Sequence, residues 1–67
     1  MYQLTAKIEG GTNEAYLFDA LSDEEATMTA IGYIMDAAYA HKSGAWAKGA
    51  ISLSDPDGNV IRTMNAK

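Results

Sequence analysis

Hydrophobic and polar residues alternate one by one at the start of the chain. Tyr2, Leu4, Ala6 and Ile8 fall on one side, and Gln3, Thr5, Lys7 and Glu9 on the other. A period of two predicts a half-buried strand. The next residues, "GGTN" from Gly10 to Asn13, tolerate positive φ and predict a reversal into a hairpin. The returning strand, Glu14 to Asp19, carries apolar groups on both faces, with Tyr16 and Phe18 on one and Ala15 and Leu17 on the other. The pattern alone leaves its buried face open.

From Ser22 the period changes. Ser22 followed by Glu25 fits a capping box, in which the hydroxyl accepts from a free backbone N–H and the glutamate reaches back to the cap. Asp23, Glu24 and Glu25 lie where the helix dipole is positive, while His41 and Lys42 lie where it is negative, and Gly44 can close the helix in the left-handed conformation. These signals predict one helix from about Asp23 to about Lys42. At about 100° per residue, Thr27, Met28, Ile31, Ile34, Met35, Ala38 and Tyr39 form an apolar stripe expected against the sheet. Glu25, Thr29, Gly32, Tyr33, Asp36 and Ala40 are expected on the wet side.

The segment "AWAKGAISLS" predicts a third strand. Ala47, Gly49, Ile51 and Leu53 share one face, and Trp46, Lys48, Ala50 and Ser52 the other. "DPDG", Asp55 to Gly58, is a turn in which proline presets φ and glycine relieves strain at the end. Asn59 to Met64 then forms the fourth strand, with Val60 and Met64 on one face and Ile61 on the other.

The expected fold is α+β, a single domain over 1–67. It has one four-stranded antiparallel sheet and one helix packed on one of its faces, in the order β-β-α-β-β. Leu4, Ile8, Ile51 and Leu53 are expected against the helix, and the other face of the sheet meets water or a partner. Strand order cannot be read from this pattern, and an edge could remain open for pairing with another chain.

Composition narrows the chemistry. A chain of 67 residues buries a limited core. It contains no cysteine, so there is neither a disulfide nor a thiolate ligand or nucleophile. No apolar run reaches a membrane span and the first ten residues lack the blocks of a signal peptide, so a cytoplasmic location is expected. Nine acids against five bases give a net charge of −4. This argues against direct binding to nucleic acid or anionic membranes and favours attraction to basic surfaces. Mild acidity also keeps a small protein in solution, with no further role required.

Candidate sites for catalysis and metals fail on their own chemistry. Reading "SDPDGN" as a calcium loop would put Leu53 and Met64 in ligand positions, and neither binds a hard cation. His41 has no nucleophile or carboxylate partner nearby in sequence and is explained by the helix end. Asp23 and Glu24, adjacent on a helix, point in different directions. Gly10 and Gly11 fit neither phosphate-binding fingerprint. No enzyme activity, cofactor or metal is expected.

What remains is surface. Gly32 costs roughly 1 kcal/mol relative to alanine inside a helix. Beside Tyr33 and Asp36 it is either a tolerated glycine or a notch where another backbone approaches. Trp46, with Tyr16 and Phe18 or with Leu17, could form an apolar patch on the open sheet face and so a dimer interface.

With the β-β-α-β-β order in place, the closing "ISLSDPDGNVIRTM" resembles the final hairpin of small bacterial and phage domains of unknown function. In size, acidity and lack of catalytic residues the chain is similar in type to phage-encoded inhibitors such as anti-CRISPR proteins. The acid cluster at the helix start and the absence of a catalytic set, in keeping with that likeness of type, lead to the expectation of a small binding protein. It would inhibit a larger nucleic-acid-handling complex in the cytoplasm, the host's if phage-encoded. Asp19, Asp23, Glu24, Glu25 and Asp36 would face a basic groove, with Gly32, Tyr33 and Trp46 adding partner contacts. The alternative is an interaction module that homodimerises through the open sheet face or an edge.

Overall fold

A computed structural model describes residues 1–8, 10–11, 13–40 and 44–65. Its elements are β1 (Tyr2–Lys7), β2 (Glu14–Phe18), α1 (Asp23–Ala40), α2 (Ala45–Lys48), β3 (Ala50–Ser54) and β4 (Val60–Asn65). The strands form one antiparallel sheet in the order β2-β1-β3-β4. The two hairpins therefore join through β1 and β3, and β2 and β4 form the edges. This is the expected α+β architecture with one main helix and, in addition, a short helical turn before β3. No described helix is long and apolar enough to cross a membrane.

Register places the core. Leu4 pairs with Tyr16 on one side and Leu53 on the other, Ala6 pairs with Ile51, and Tyr2 pairs with Phe18. Directly opposed residues share a face, so these side chains line one surface of the sheet. Leu4, Ile51 and Leu53 are the largest fully buried side chains, and Ile8 packs against them, as the alternation predicts. Tyr16 and Phe18 point inward too, which resolves the ambiguous second strand. The opposite surface carries Gln3, Thr5, Lys7, Ser52, Ser54 and Thr63 around Ala15 and an exposed Leu17. It is mostly polar, so the apolar patch expected there is absent from the described residues.

Three expectations are corrected. Residues 45–48 form α2, not the start of a strand. Consecutive strand residues point to opposite faces, and one face of this sheet is largely polar, whereas the helical turn brings both Ala45 and Trp46 into the core. Gly44, expected to close α1 in the left-handed conformation, has φ −82° and ψ 174° and caps the start of α2. In β4 a bulge opposite Leu53 and Ser54 shifts the register. Ile61 therefore packs on the core together with Met64, while Val60 is exposed.

Both ends of the turn "DPDG" behave as its chemistry requires. One Asp55 carboxylate oxygen, Oδ1, accepts from the backbone N–H of Asp57 at 3.0 Å and of Asn59 at 2.9 Å, and Gly58 takes φ +91°. At the first turn, Gly11 N–H donates to the Ile8 carbonyl at 2.9 Å, while Thr12 of "GGTN" lies outside the described residues. The helix-end roles of His41 and Lys42 also fall outside them.

Gly49 is fixed by space. A Cβ at this position would sit 2.6 Å from both the Ala45 and Lys7 carbonyl oxygens. The bare backbone lets α2 tuck over the end of β1 and deliver Trp46 to the core. Gly49→Ala is therefore expected to destabilise the fold by about 1–3 kcal/mol, the range for overpacking a filled site. A urea titration checks this, with a lower midpoint at similar slope as the expected result.

Candidate functional site

The helix cap forms as predicted in its first half. Glu25 N–H donates to Ser22 Oγ at 3.1 Å. The return bond shifts by one residue, because Leu21 N–H donates to Glu25 Oε1 at 3.3 Å in place of Ser22's own N–H. Asp23 is also occupied. Its Oδ1 accepts from the Tyr2 hydroxyl at 2.7 Å, tying the first strand to the first helical turn. The Tyr2 hydroxyl is pushed up to about 12, first by that hydrogen bond, then by burial, then by the charges of Asp23, Asp55 and Glu25.

The rotation of α1 departs most from expectation. Ala26 and Ala30 are fully buried, and Tyr33, Ile34 and Ala37 pack against the core beside them. These positions recur at three and four residues and form the sheet-facing side. Met28 is 72% exposed, Ile31 45%, Met35 67% and Tyr39 83%. The stripe expected inside, apart from Ile34, thus lies largely outside. Thr27, another member, instead donates its hydroxyl to the Asp23 carbonyl at 2.8 Å.

Aromatic packing accounts for this turn of the helix. The Tyr33 ring lies 3.9 Å from that of Tyr16, with planes 8° apart, and meets Trp46 edge-on at 5.2 Å. Tyr16 stacks on Phe18 at 5.5 Å, and Phe18 on Tyr2 at 6.0 Å. Five of the six aromatic residues thus run from β1 to α2 in one unbroken chain. Bulky rings from the sheet and α2 fill the space beneath the helix, and alanines are the helical residues that fit above them. Large residues opposite small ones let two layers interdigitate.

The residues singled out from the sequence therefore separate. Trp46 is 3% exposed and belongs to the core, so it offers no surface to a partner. Tyr33, expected on the wet side, is half-buried in the aromatic chain. Asp23 and Glu25 hold the start of the helix. Gly32 and Asp36 do lie on the outer side of α1, where Glu24 is also exposed, and Asp19 is exposed in the connection before the helix. Sequence reasoning missed Met28, Ile31, Met35 and Tyr39 as surface. The available signal was that α1 is apolar on more sides than one sheet can cover.

Gly32 sits in the middle of this outer stripe. A Cβ there would meet nothing within 4 Å, so no contact among the described residues demands a glycine. The outer face is an apolar strip of four large residues running from Met28 to Tyr39, with a notch at Gly32 and carboxylates at Glu24 and Asp36 on its margins. The chain matches no family model, no curated protein and no solved structure.

Two measurements follow from this geometry. An unfolded tyrosine ionises near 10 and Tyr2 in the fold near 12. A raised phenol keeps its stabilisation in full below the lower value and loses it as pH climbs through the higher one. The stability difference between wild type and Tyr2→Phe should therefore be flat up to about pH 10 and shrink between 10 and 12, as read by urea unfolding at each pH. Identical alkaline slopes would remove Tyr2 as the titrating group. Separately, Gly32→Ala should raise the stability of dilute protein by about 0.5–1 kcal/mol, because it restores helix propensity at a site with free space.

Proposed function

We propose that this chain is a small, non-enzymatic docking protein that binds another protein through the outer face of α1. The observation that carries this reading is the exposed stripe of Met28, Ile31, Met35 and Tyr39 on a helix whose opposite side is already buried. A helix that is apolar on both sides has a second surface to cover. Methionine side chains are flexible and polarizable, so they adapt to a partner's contours. Tyrosine adds a large apolar body with a polar tip, the combination enriched at interfaces. The lack of cysteine is in keeping with work in the cytoplasm, that of the host if the gene is carried by a phage.

A second reading, inhibition of a nucleic-acid-handling complex through a basic groove, is favoured by the exposed carboxylates Asp19, Glu24 and Asp36 and the net charge of −4. Asp23 and Glu25 contribute to it less freely, because their oxygens are engaged at the helix start. Reversing them would disturb the fold along with any interface.

The two readings separate by variant and by salt. Capture from the native host should be compared between wild type, Met28→Ser/Met35→Ser and Glu24→Lys/Asp36→Lys, each first shown to be folded. On the first reading, the methionine variant loses a partner that wild type retains, and the loss persists at high salt. On the second, the lysine variant loses it, and binding falls as salt screens exposed charges. Equal capture by all three proteins would overturn both.

A further inference from the structure

We infer that the occupant of the outer α1 face is a second copy of this chain, packed as an antiparallel helix pair. This rests on the docking reading above and names its partner. The spacing carries the argument. Met28, Gly32, Met35 and Tyr39 follow one another at four, three and four residues, the seam pattern of two helices packed side by side. Ile31 flanks the seam. In an antiparallel pair related by a two-fold axis, Met28 of each copy faces Tyr39 of the other, and Met35 faces Gly32. Every apolar residue of the seam then meets a residue of the same seam, which is the self-complementarity that an isologous interface requires.

Gly32 gains a reason in this arrangement. Among the described residues nothing approaches its Cβ position, while the helix would be more stable with alanine there. Across the axis the missing side chain makes the hole into which the partner's Met35 fits. The sulfur of Met28 against the Tyr39 ring is a favourable contact of the same kind.

Area and charge agree. Taking roughly 200 Å² per side chain, the value for a large aromatic residue, as an upper bound, the exposures of Met28, Ile31, Met35 and Tyr39 amount to at most about 500 Å² on each copy. Complete burial of these side chains in the pair would cover on the order of 1,000 Å², the lower bound for a specific interface and the size class of weak, reversible association. A parallel pairing would set the two acidic turns, Asp23, Glu24 and Glu25, beside each other. The antiparallel pairing puts them at opposite ends of an 18-residue helix, on the order of 25 Å apart at 1.5 Å per residue.

Sedimentation of the full chain across the micromolar range tests this, with the Met28 and Met35 methyl signals followed by NMR over the same dilution. Wild type should sediment as a dimer and both methyl signals should move on dilution. Met35→Glu and Gly32→Leu should each weaken the dimer by about tenfold or more. Gly32→Leu guards against misfolding, since the chain itself leaves room there and leucine favours the helix. Leu17→Glu on the polar sheet face should leave the dimer intact. A dimer that survives both α1 variants, or is lost with Leu17→Glu, overturns the inference. A wild type that stays monomeric throughout also overturns it, while a captured partner lost only in Met28→Ser/Met35→Ser would leave the docking reading standing.

Discussion

The stacking of Tyr33 between Tyr16 and Trp46 sets how α1 lies on the sheet, and the outer surface follows from it. With the ring 3.9 Å from Tyr16 and edge-on to Trp46, the helix has little freedom to roll. Aromatic pairs in such geometries add to their area burial a preference for one mutual orientation. Rolling the Met–Ile stripe inward would pull Tyr33 out of the chain of rings and bring branched side chains into space the rings already fill. Burial of alanines beneath α1 and exposure of methionines above it are two consequences of one packing constraint.

That constraint depends on α2. Trp46 reaches Tyr33 because residues 45–48 turn as a helix and because Gly49 lets the backbone pass within contact of the Lys7 carbonyl. The sheet supplies Leu4, Ile51 and Leu53, the largest fully buried side chains among the described residues. In a chain of 67 residues this is a small core, and aromatic rings provide much of its remaining volume. Small domains commonly supplement such cores by association. On the reading proposed above, the exposed α1 stripe is the surface through which this one does so.

The acids divide between structure and surface. Asp23 receives the Tyr2 hydroxyl, Glu25 receives Leu21 N–H, and Asp55 closes its turn with two backbone bonds. Glu24 and Asp36 border the apolar strip, and Asp19 lies before the helix. Net charge alone treats these six alike. Only the engaged ones are tied to particular backbone or hydroxyl groups, and the remaining three stay exposed beside or before α1.

Local rules determined the elements of this protein. Alternation marked Leu4, Ile8, Ile51 and Leu53 as core, Ser22 and the following acids opened the helix, and the Asp55–Gly58 turn joined the last strands. Each of these depends on residues a few positions apart, so the sequence by itself was sufficient. The strand order, the bulge that brings Ile61 inward and the helical turn at Trp46 depended on distant partners. The same holds for the side of α1 that is buried. Hydropathy ranks Met28, Ile31 and Met35 above Ala26 and Ala30, and a helix read alone turns the former inward. Tertiary structure chose the alanines, because the volume beneath the helix was already taken by Tyr16, Phe18 and Trp46.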